Sequence, residues 1–308
     1  MYLPSRKAKR GRLHEKMNGL MSFSDYKKKR NVVSYWVFIV LLIMFSLLAA
    51  APIVWLLVSS FKSVQEINSV NYRFFPNSLD IRPFIELWQN EGLTGIFINT
   101  FVVVIFSVIS AVIFNSILAY VIAIIKPAGY KVIDKMILLA YMIPSAIAIY
   151  PLSIAVTNVF GRGSYLPLFL ILGSNAYYYM LFKNYFEKFP KSLIEASRID
   201  GLNNLKVFFK VVLPLARPII GVVAIFAMTA SYSDFLLPYI ILGMQDQSTW
   251  TLMVAVYSIS NRVGASGSSI QLNNVLQLLT LSIIPQIIIF IIFQKQIMNQ
   301  GVNSGMKE

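Results

Sequence analysis

Long charge-free apolar runs, separated by short polar segments, organise this chain. No charged residue falls in 31–61, 92–125, 136–161, 163–182 or 263–294, and the run 218–245 contains only Asp234. A helix needs about 20 apolar residues to cross the hydrocarbon core, so each run has room for one span. The pattern predicts spans over roughly 33–60, 96–125, 136–157, 165–182, 218–241 and 275–294. The expected fold is an all-α membrane protein built as a six-helix transmembrane bundle. Pro144 and Pro151 fall in the third span and Pro285 in the sixth. Proline frees backbone carbonyls and kinks a helix, which lipid tolerates only where neighbouring helices re-satisfy those groups. Packing kinks and a role in gating are both open.

Composition agrees with the pattern. The 308 residues are 57% hydrophobic and 13% charged, against roughly 25% charged in an ordinary globular chain. There is no cysteine, which excludes disulfides and thiolate metal sites. The single histidine, His14, sits in a basic tail. It reads as a solvated bystander, since one imidazole makes no ligand cluster. A net charge of +14 raises the question of nucleic acid, but its distribution argues against that partner. Ten basic residues lie in the first thirty, ending in Lys27, Lys28, Lys29 and Arg30 directly before the first span. They read as an anchor beside anionic membrane lipid. A secretory signal does not fit, because the apolar stretch that follows is much longer than the 7–15 residues of an h-region.

With the basic N-terminus inside, the chain alternates. Segments 1–31, 126–135, 183–217 and 295–308 then carry 22 of the 27 basic residues, and 62–94, 158–164 and 243–274 carry five. The positive-inside rule predicts cytoplasmic termini. This divides the chain into a basic tail (1–31), a transmembrane domain (32–294) and a short cytoplasmic tail (295–308). The outer segment 62–94 includes Phe74, Phe75, Phe84 and Trp88, types that commonly form an interfacial belt. The outer segment 243–274 is longer than a hairpin needs, and its apolar stretch from Trp250 to Ile259 is too short to span. It predicts either a re-entrant element or a lid-like loop.

The most informative cytoplasmic stretch runs from Pro190 to Pro218. Ser192 and Glu195 have capping-box spacing, which predicts a helix start at Ser192. Gly201 offers a left-handed stop and Asn203 a cap for a second helix. In that helix Val207, Phe208, Val211 and Val212 share a face, and Pro214 should end it. The product is a short helix, a glycine turn and an amphipathic helix at the membrane surface. Glu195 reads here either as a helix cap or as a contact for something outside the chain.

The pattern Glu195-Ala196-Ser197-x-x-Asp200-Gly201, followed twelve residues on by Leu213-Pro214, resembles the EAA loop of permease subunits of binding-protein-dependent ABC importers. Phe208 and Pro218 match as well, and Ser197 replaces the usual third alanine. Asn99-Thr100, Ala119-Tyr120, Pro144, Pro151 and Tyr232-Ser233-Asp234-Phe235-Leu236-Leu237-Pro238 place the resemblance nearer the maltose-type, carbohydrate-uptake branch. It runs from about residue 33 to the C-terminus. The resemblance implies the type I importer fold in a bacterial cytoplasmic (inner) membrane. It also implies a second permease subunit, two ATPase subunits and an external sugar-binding protein as partners.

In that family the EAA helix sets into a cleft of the ATPase. The resemblance therefore implies that Glu195 pairs with a basic residue there and that Gly201 lets the chain turn back sharply. Ala196 and Ser197 would keep the docking face slim, with Asp200 and Pro214 completing the motif. The chain has no Gly-x-x-x-x-Gly-Lys-Ser/Thr to cradle a phosphate. It is therefore expected to bind no cofactor and to be no enzyme, leaving ATP and Mg to the partner ATPase. Gly301 to Lys307 resembles the family's C-terminal tail, which implies contact of Gly301 and Gly305 with the ATPase dimer; a frayed terminus is the plain alternative.

Asp234 is the only charge inside a predicted span. Placing it mid-bilayer would cost about 2.5–3.5 kcal/mol, so it should face protein or water. With Ser233 and Tyr232 it either lines a translocation path, accepting hydrogen bonds from sugar hydroxyls, or it snorkels or pairs with Arg162 or Arg262. Two further readings stand beside the sugar importer: the same architecture carrying a non-sugar solute such as a peptide, and a membrane-embedded enzyme acting on lipid or glycan. The enzyme would need clustered acids, histidines or metal ligands, and the sequence offers one histidine and one intramembrane carboxylate.

Overall fold

The computed structural model describes residues 29–71, 73–243, 246–265 and 270–305; for 29–32, 145–146 and 295–305 it describes the backbone only. The basic tail 1–28, with His14, and the last three residues lie outside the described residues. Two units are present, 1–59 and 60–308. In the first, helix α1 (Lys29–Ser59) runs through Pro52, and every residue from Leu41 to Trp55 is exposed. A helix apolar all round, with no polar face, is built for an apolar surrounding.

The second unit is helical throughout its regular structure. Its elements are α2 (Arg82–Asn90), α3 (Leu93–Tyr120), α4 (Tyr130–Met142), α5 (Ser145–Phe160), α6 (Leu166–Gly173) and α7 (Ala176–Phe186). There follow α8 (Lys191–Ile199), α9 (Asn204–Val207), α10 (Arg217–Ser233), α11 (Leu236–Leu242), α12 (Leu252–Ser260) and α13 (Leu272–Gly305). Helix α3 is central and continues into one π-turn, Val121–Ile125; α6, α7 and α10 all pack on it. Its buried face is small and partly polar, with Thr100, Ser107, Ser110, Ala111, Asn115, Ser116 and Ala119, while Phe101, Ile105, Phe106, Ile109 and Phe114 point outward. That reverses the arrangement of a soluble helix and follows the logic of lipid, in which small residues let helices approach closely. Gly173 marks the closest approach. A β-carbon there would lie 2.5 Å from the Ser110 Cβ and 2.9 Å from the Ala111 backbone nitrogen.

By length and composition, three described helices can cross a membrane: Val33–Ser59, Leu93–Ile125 and Leu272–Gln294. The number rises to five if two sharply bent pairs each count as one span. The hydropathy pattern predicted one span in each run, with a proline kink in the third, and three of these spans are broken helices. The third divides at Ile143–Pro144, between α4 and α5. The fourth divides at Ser174–Asn175, where Asn175 is extended and its side chain accepts the Tyr177 N–H. The fifth divides at Asp234–Phe235. Asn and Asp side chains offer the backbone a local alternative to helix, and proline removes a donor. Pro144 and Asp234 had marked two of these places in the sequence, whereas nothing in the hydropathy pattern marked the break at Ser174–Asn175. Pro285, by contrast, is carried inside the continuous helix α13.

Candidate coupling site

Helix α8 starts at Lys191 with Pro190 as its N-cap and no side-chain capping bond. The expected Ser192–Glu195 capping box is therefore not formed. Proline, with φ already fixed, provides the start instead, and Glu195 is released from that duty. The end of α8 is as predicted. Gly201 takes φ +77°, its N–H reaches the Arg198 carbonyl at 3.0 Å, and the Leu202 N–H reaches Ser197 at 3.1 Å. These two bonds form a Schellman motif, which satisfies the last carbonyls of the helix and reverses the chain. Asn203 then caps α9 by accepting the Lys206 N–H at 2.9 Å, again as predicted.

The second helix does not end at Pro214. After α9 it widens into a π-turn, Phe208–Val212, and passes through Pro214 to Leu215. An 80° bend then leads into α10. Proline's ring clashes with the carbonyl four residues earlier, and a π-turn just upstream is one way a helix relieves such crowding.

Three of the four residues assigned to the amphipathic face are buried, and Val211 is half-buried. Val207, Phe208 and Val212 are buried together with Ile194, Tyr120, Phe182 and Phe186 in one apolar cluster. Each such side chain removed from water is worth about 1.5–3 kcal/mol, enough to make the segment a fixed shape. Tyr120, near the end of α3, adds two ties. Its hydroxyl donates to the Asn204 carbonyl at 3.0 Å, and its ring lies 5.2 Å from that of Phe208. The Tyr185 hydroxyl holds the Leu215 carbonyl at 3.0 Å.

What remains outside is the opposite face of α8 and its turn. Glu195, Ala196, Asp200 and Gly201 are exposed, as is Pro214. Glu195 belongs to none of the ion pairs among the described residues. Ser197 does not share that face. It is buried, and its hydroxyl donates to the Leu193 carbonyl at 2.6 Å. Sequence reasoning missed Ile199, which is 86% exposed, and Leu205, 68% exposed. Both flank the glycine turn and fall off the buried face of their helices, which is the signal that would have found them. A charged, slim and locally apolar surface on a rigid base is suited to seating in a groove of a partner.

The residues offered for a translocation path separate. Tyr232 is buried, and its hydroxyl donates to the Ser282 carbonyl of α13 at 2.6 Å, so here it is a helix–helix tie. Asp234 sits at the break after α10 and accepts the Leu237 N–H of α11 at 3.2 Å, while Ser233 is exposed. Neither expected ion pair of Asp234 forms, because Arg262 pairs with Glu91 instead. The backbone of α13 is helical through Gly301 to Gly305.

The stretch around Trp250 is a packed element. Helix α12 is largely buried against α3 and α13 in a cluster with Leu93, Ile96, Trp250 and Leu278. Asn99 donates to the Ser248 and Trp250 carbonyls at 2.7 and 3.1 Å. Thr100 accepts the Leu252 N–H at 2.8 Å, and Tyr165 donates to Thr249 at 2.8 Å. The Asn99-Thr100 pair thus fixes an orphan N–H and two carbonyls where the short helix begins.

The sequence matches no family model. It is 29% identical over 260 residues to a diacetylchitobiose uptake system permease of Streptomyces coelicolor, covering 83% of this chain and 84% of that one. To an arabinooligosaccharides transport system permease of Halalkalibacterium halodurans it is 26% identical, covering 91% and 99%. A multiple sugar-binding transport system permease of Streptococcus mutans is 28% identical, covering 91% and 100%. The fold matches a chain in the crystal structure of a bacterial ABC transporter involved in import of the acidic polysaccharide alginate. That match has a TM-score of 0.77 at 22% identity and covers 90% of this chain and 99% of that one. These relatives and the long apolar helices mark a multi-pass membrane protein of the transport kind. The resemblance read from residues 190–218 thus holds over most of the chain in sequence and in fold: this protein is a relative of the permease subunits of sugar ABC importers.

Proposed function

We propose that this chain is a permease subunit of an ATP-driven importer of carbohydrate, in particular oligosaccharide, in a bacterial cytoplasmic membrane. It would cross six times, with the broken pairs α4–α5, α6–α7 and α10–α11 each serving as one span and both termini cytoplasmic, in keeping with the 22 basic residues on that side. A second permease would complete the path, two ATPase subunits would bind below with ATP and Mg, and an external binding protein would deliver sugar. The observation that carries this reading is the face of α8. Glu195, Ala196 and Ile199 stand exposed on a helix whose other face is locked into the body.

Docking would place Glu195 against a basic residue of the ATPase and seat Ile199 and the Gly201 turn in its cleft, while Ser197 would act from within. The test compares Gly201→Asp with Gly201→Asn at equal membrane levels. A β-carbon at Gly201 meets nothing within 4 Å, and both residues tolerate a left-handed backbone better than most, so the fold should survive either change. Gly201→Asp should abolish uptake and ATPase co-purification, because it adds a charge to a packed contact; Gly201→Asn should be milder. Glu195→Ala should loosen the ATPase by leaving a buried cation unpaired. Normal uptake with the ATPase retained in all three variants would remove the coupling role. The purified chain alone should hydrolyse no ATP.

A further inference from the structure

Two of the helix breaks border one cavity of about 790 Å³. Ile143–Pro144 and Ser174–Asn175 both line it, and each lies inside a charge-free run, 136–161 or 163–182, at least seven residues from either end. Broken backbone at such depth persists only where it is buried in protein or faces a water-filled space. Asn115 of α3 lines the same cavity. It is only 5% exposed, and its amide nitrogen donates to the Ala111 and Gly173 carbonyls at 2.7 and 2.8 Å. Those two bonds fix which way the carboxamide points, and its oxygen accepts no hydrogen bond among the described residues. Asn175 is the complement. Its oxygen takes the Tyr177 N–H at 2.8 Å, leaving its amide N–H groups to the cavity. The Ser174 hydroxyl is exposed beside it, and Tyr141, 52% exposed, adds an aromatic ring with a free hydroxyl end. No lining residue is charged.

We infer that this chain touches the transported solute here, and that the ring it touches is that of a neutral saccharide. Each sugar hydroxyl both donates and accepts, and the cavity offers an acceptor on Asn115, donors on Asn175, a hydroxyl of each kind and an apolar ring. Its volume is in the range of small-molecule sites, about 300–1,000 Å³. A uronate would bring a carboxylate to a lining without a cation and meet an uncompensated charge. The inference rests on the importer reading above and assigns a solute contact to this subunit itself.

The test uses the whole complex in proteoliposomes, with both permeases, the ATPases and the binding protein. Neutral oligosaccharides such as maltotriose and raffinose are offered beside oligogalacturonate. Tyr141→Ala and Ser174→Ala change exposed side chains that hold no other element. Each should raise the KM for the neutral sugar about three- to tenfold, the worth of one hydrogen bond or ring contact. Ser174→Arg should narrow the gap between neutral and uronate substrates. ATP-driven sugar uptake with unaltered KM in all three variants would overturn the contact and leave the importer reading standing. A wild-type preference for the uronate would overturn the neutral assignment. Absence of ATP-driven uptake of any saccharide would bring down this inference together with the importer reading.

Discussion

The two ends of helix α3 solve the same problem differently. At one end Asn99 and Thr100 hold the segment 248–252 through three side-chain-to-backbone bonds, and the helix that follows, α12, is buried on nearly all sides. At the other end Tyr120 holds the segment 204–208 through one hydroxyl and one ring contact, and α8 keeps a whole face exposed. Buried backbone needs its hydrogen bonds supplied by neighbours, so polar side chains complete an element that is also enclosed in an apolar cluster. The segment at the Tyr120 end makes its own bonds through a Schellman turn and an Asn cap, and is fixed mainly by apolar burial. The difference separates an element enclosed on most sides from one that keeps a face exposed.

By that contrast, apolar truncation should hurt the Tyr120 end of α3 most. Phe208→Ala should destabilise its segment by about 3–5 kcal/mol, seen as rapid proteolysis within 190–218 and loss of the ATPase, with the outer segment still protected. Protection of both segments would show that the platform does not depend on its cluster. At the outer end a polar substitution should suffice. Thr100→Val leaves the buried Leu252 N–H without its acceptor, a cost of about 1–3 kcal/mol, and should lower the thermal midpoint of the complex while ATPase co-purification stays normal. Loss of the ATPase in this variant would mean that the two ends are coupled.

Tyr120→Phe is a finer probe, because it keeps the ring against Phe208 and removes only the bond to Asn204. It should cost about 0.5–1.5 kcal/mol and lower uptake less than Phe208→Ala does. An effect as large as that of Phe208→Ala would shift the weight from burial to the hydroxyl. The smallest effect belongs to Asp246, which opens the turn Gln247–Thr249. The Ser248 hydroxyl and then the Ser248 N–H hold its carboxyl below the usual aspartate range. A carboxyl whose folded value lies under its unfolded one stabilises fully above the ordinary value of about 3.9, and loses that contribution as pH falls through the lowered value. Protection factors for hydrogen exchange across 246–250 should therefore fall in acid, and Asp246→Asn should remove that pH dependence. Equal acid sensitivity in the variant would assign it to another group.

The sequence was most legible where one residue type has one geometric use. Gly201 and Asn203 took the turn and the cap their types dictate, and Val207, Phe208 and Val212 buried the face that helical spacing assigned them. It was least legible where a side chain had a choice. Glu195 had capping-box spacing, yet Pro190 began the helix. Ser197 stood in a docking motif and turned inward. Tyr232 and Asp234 read as path residues and became a tie to α13 and a cap on α11.

By itself, then, the sequence determined a helical membrane protein, its apolar segments, the side on which basic charge accumulates, and the rigid turn at Gly201. These follow from solvent preference and local backbone sterics, both of which act within a few residues. Only the tertiary structure decided where spans break, which face of α8 is free, that α12 is packed, and that Asn115 meets Ser174 and Asn175 at one cavity. Each of these depends on which distant carbonyl or N–H takes up a side chain's hydrogen bond, such as Gly173 for Asn115 or Leu252 for Thr100. In apolar surroundings a buried polar group must be satisfied by whatever the fold brings near it, and nearness across the fold is not written in the spacing along the chain.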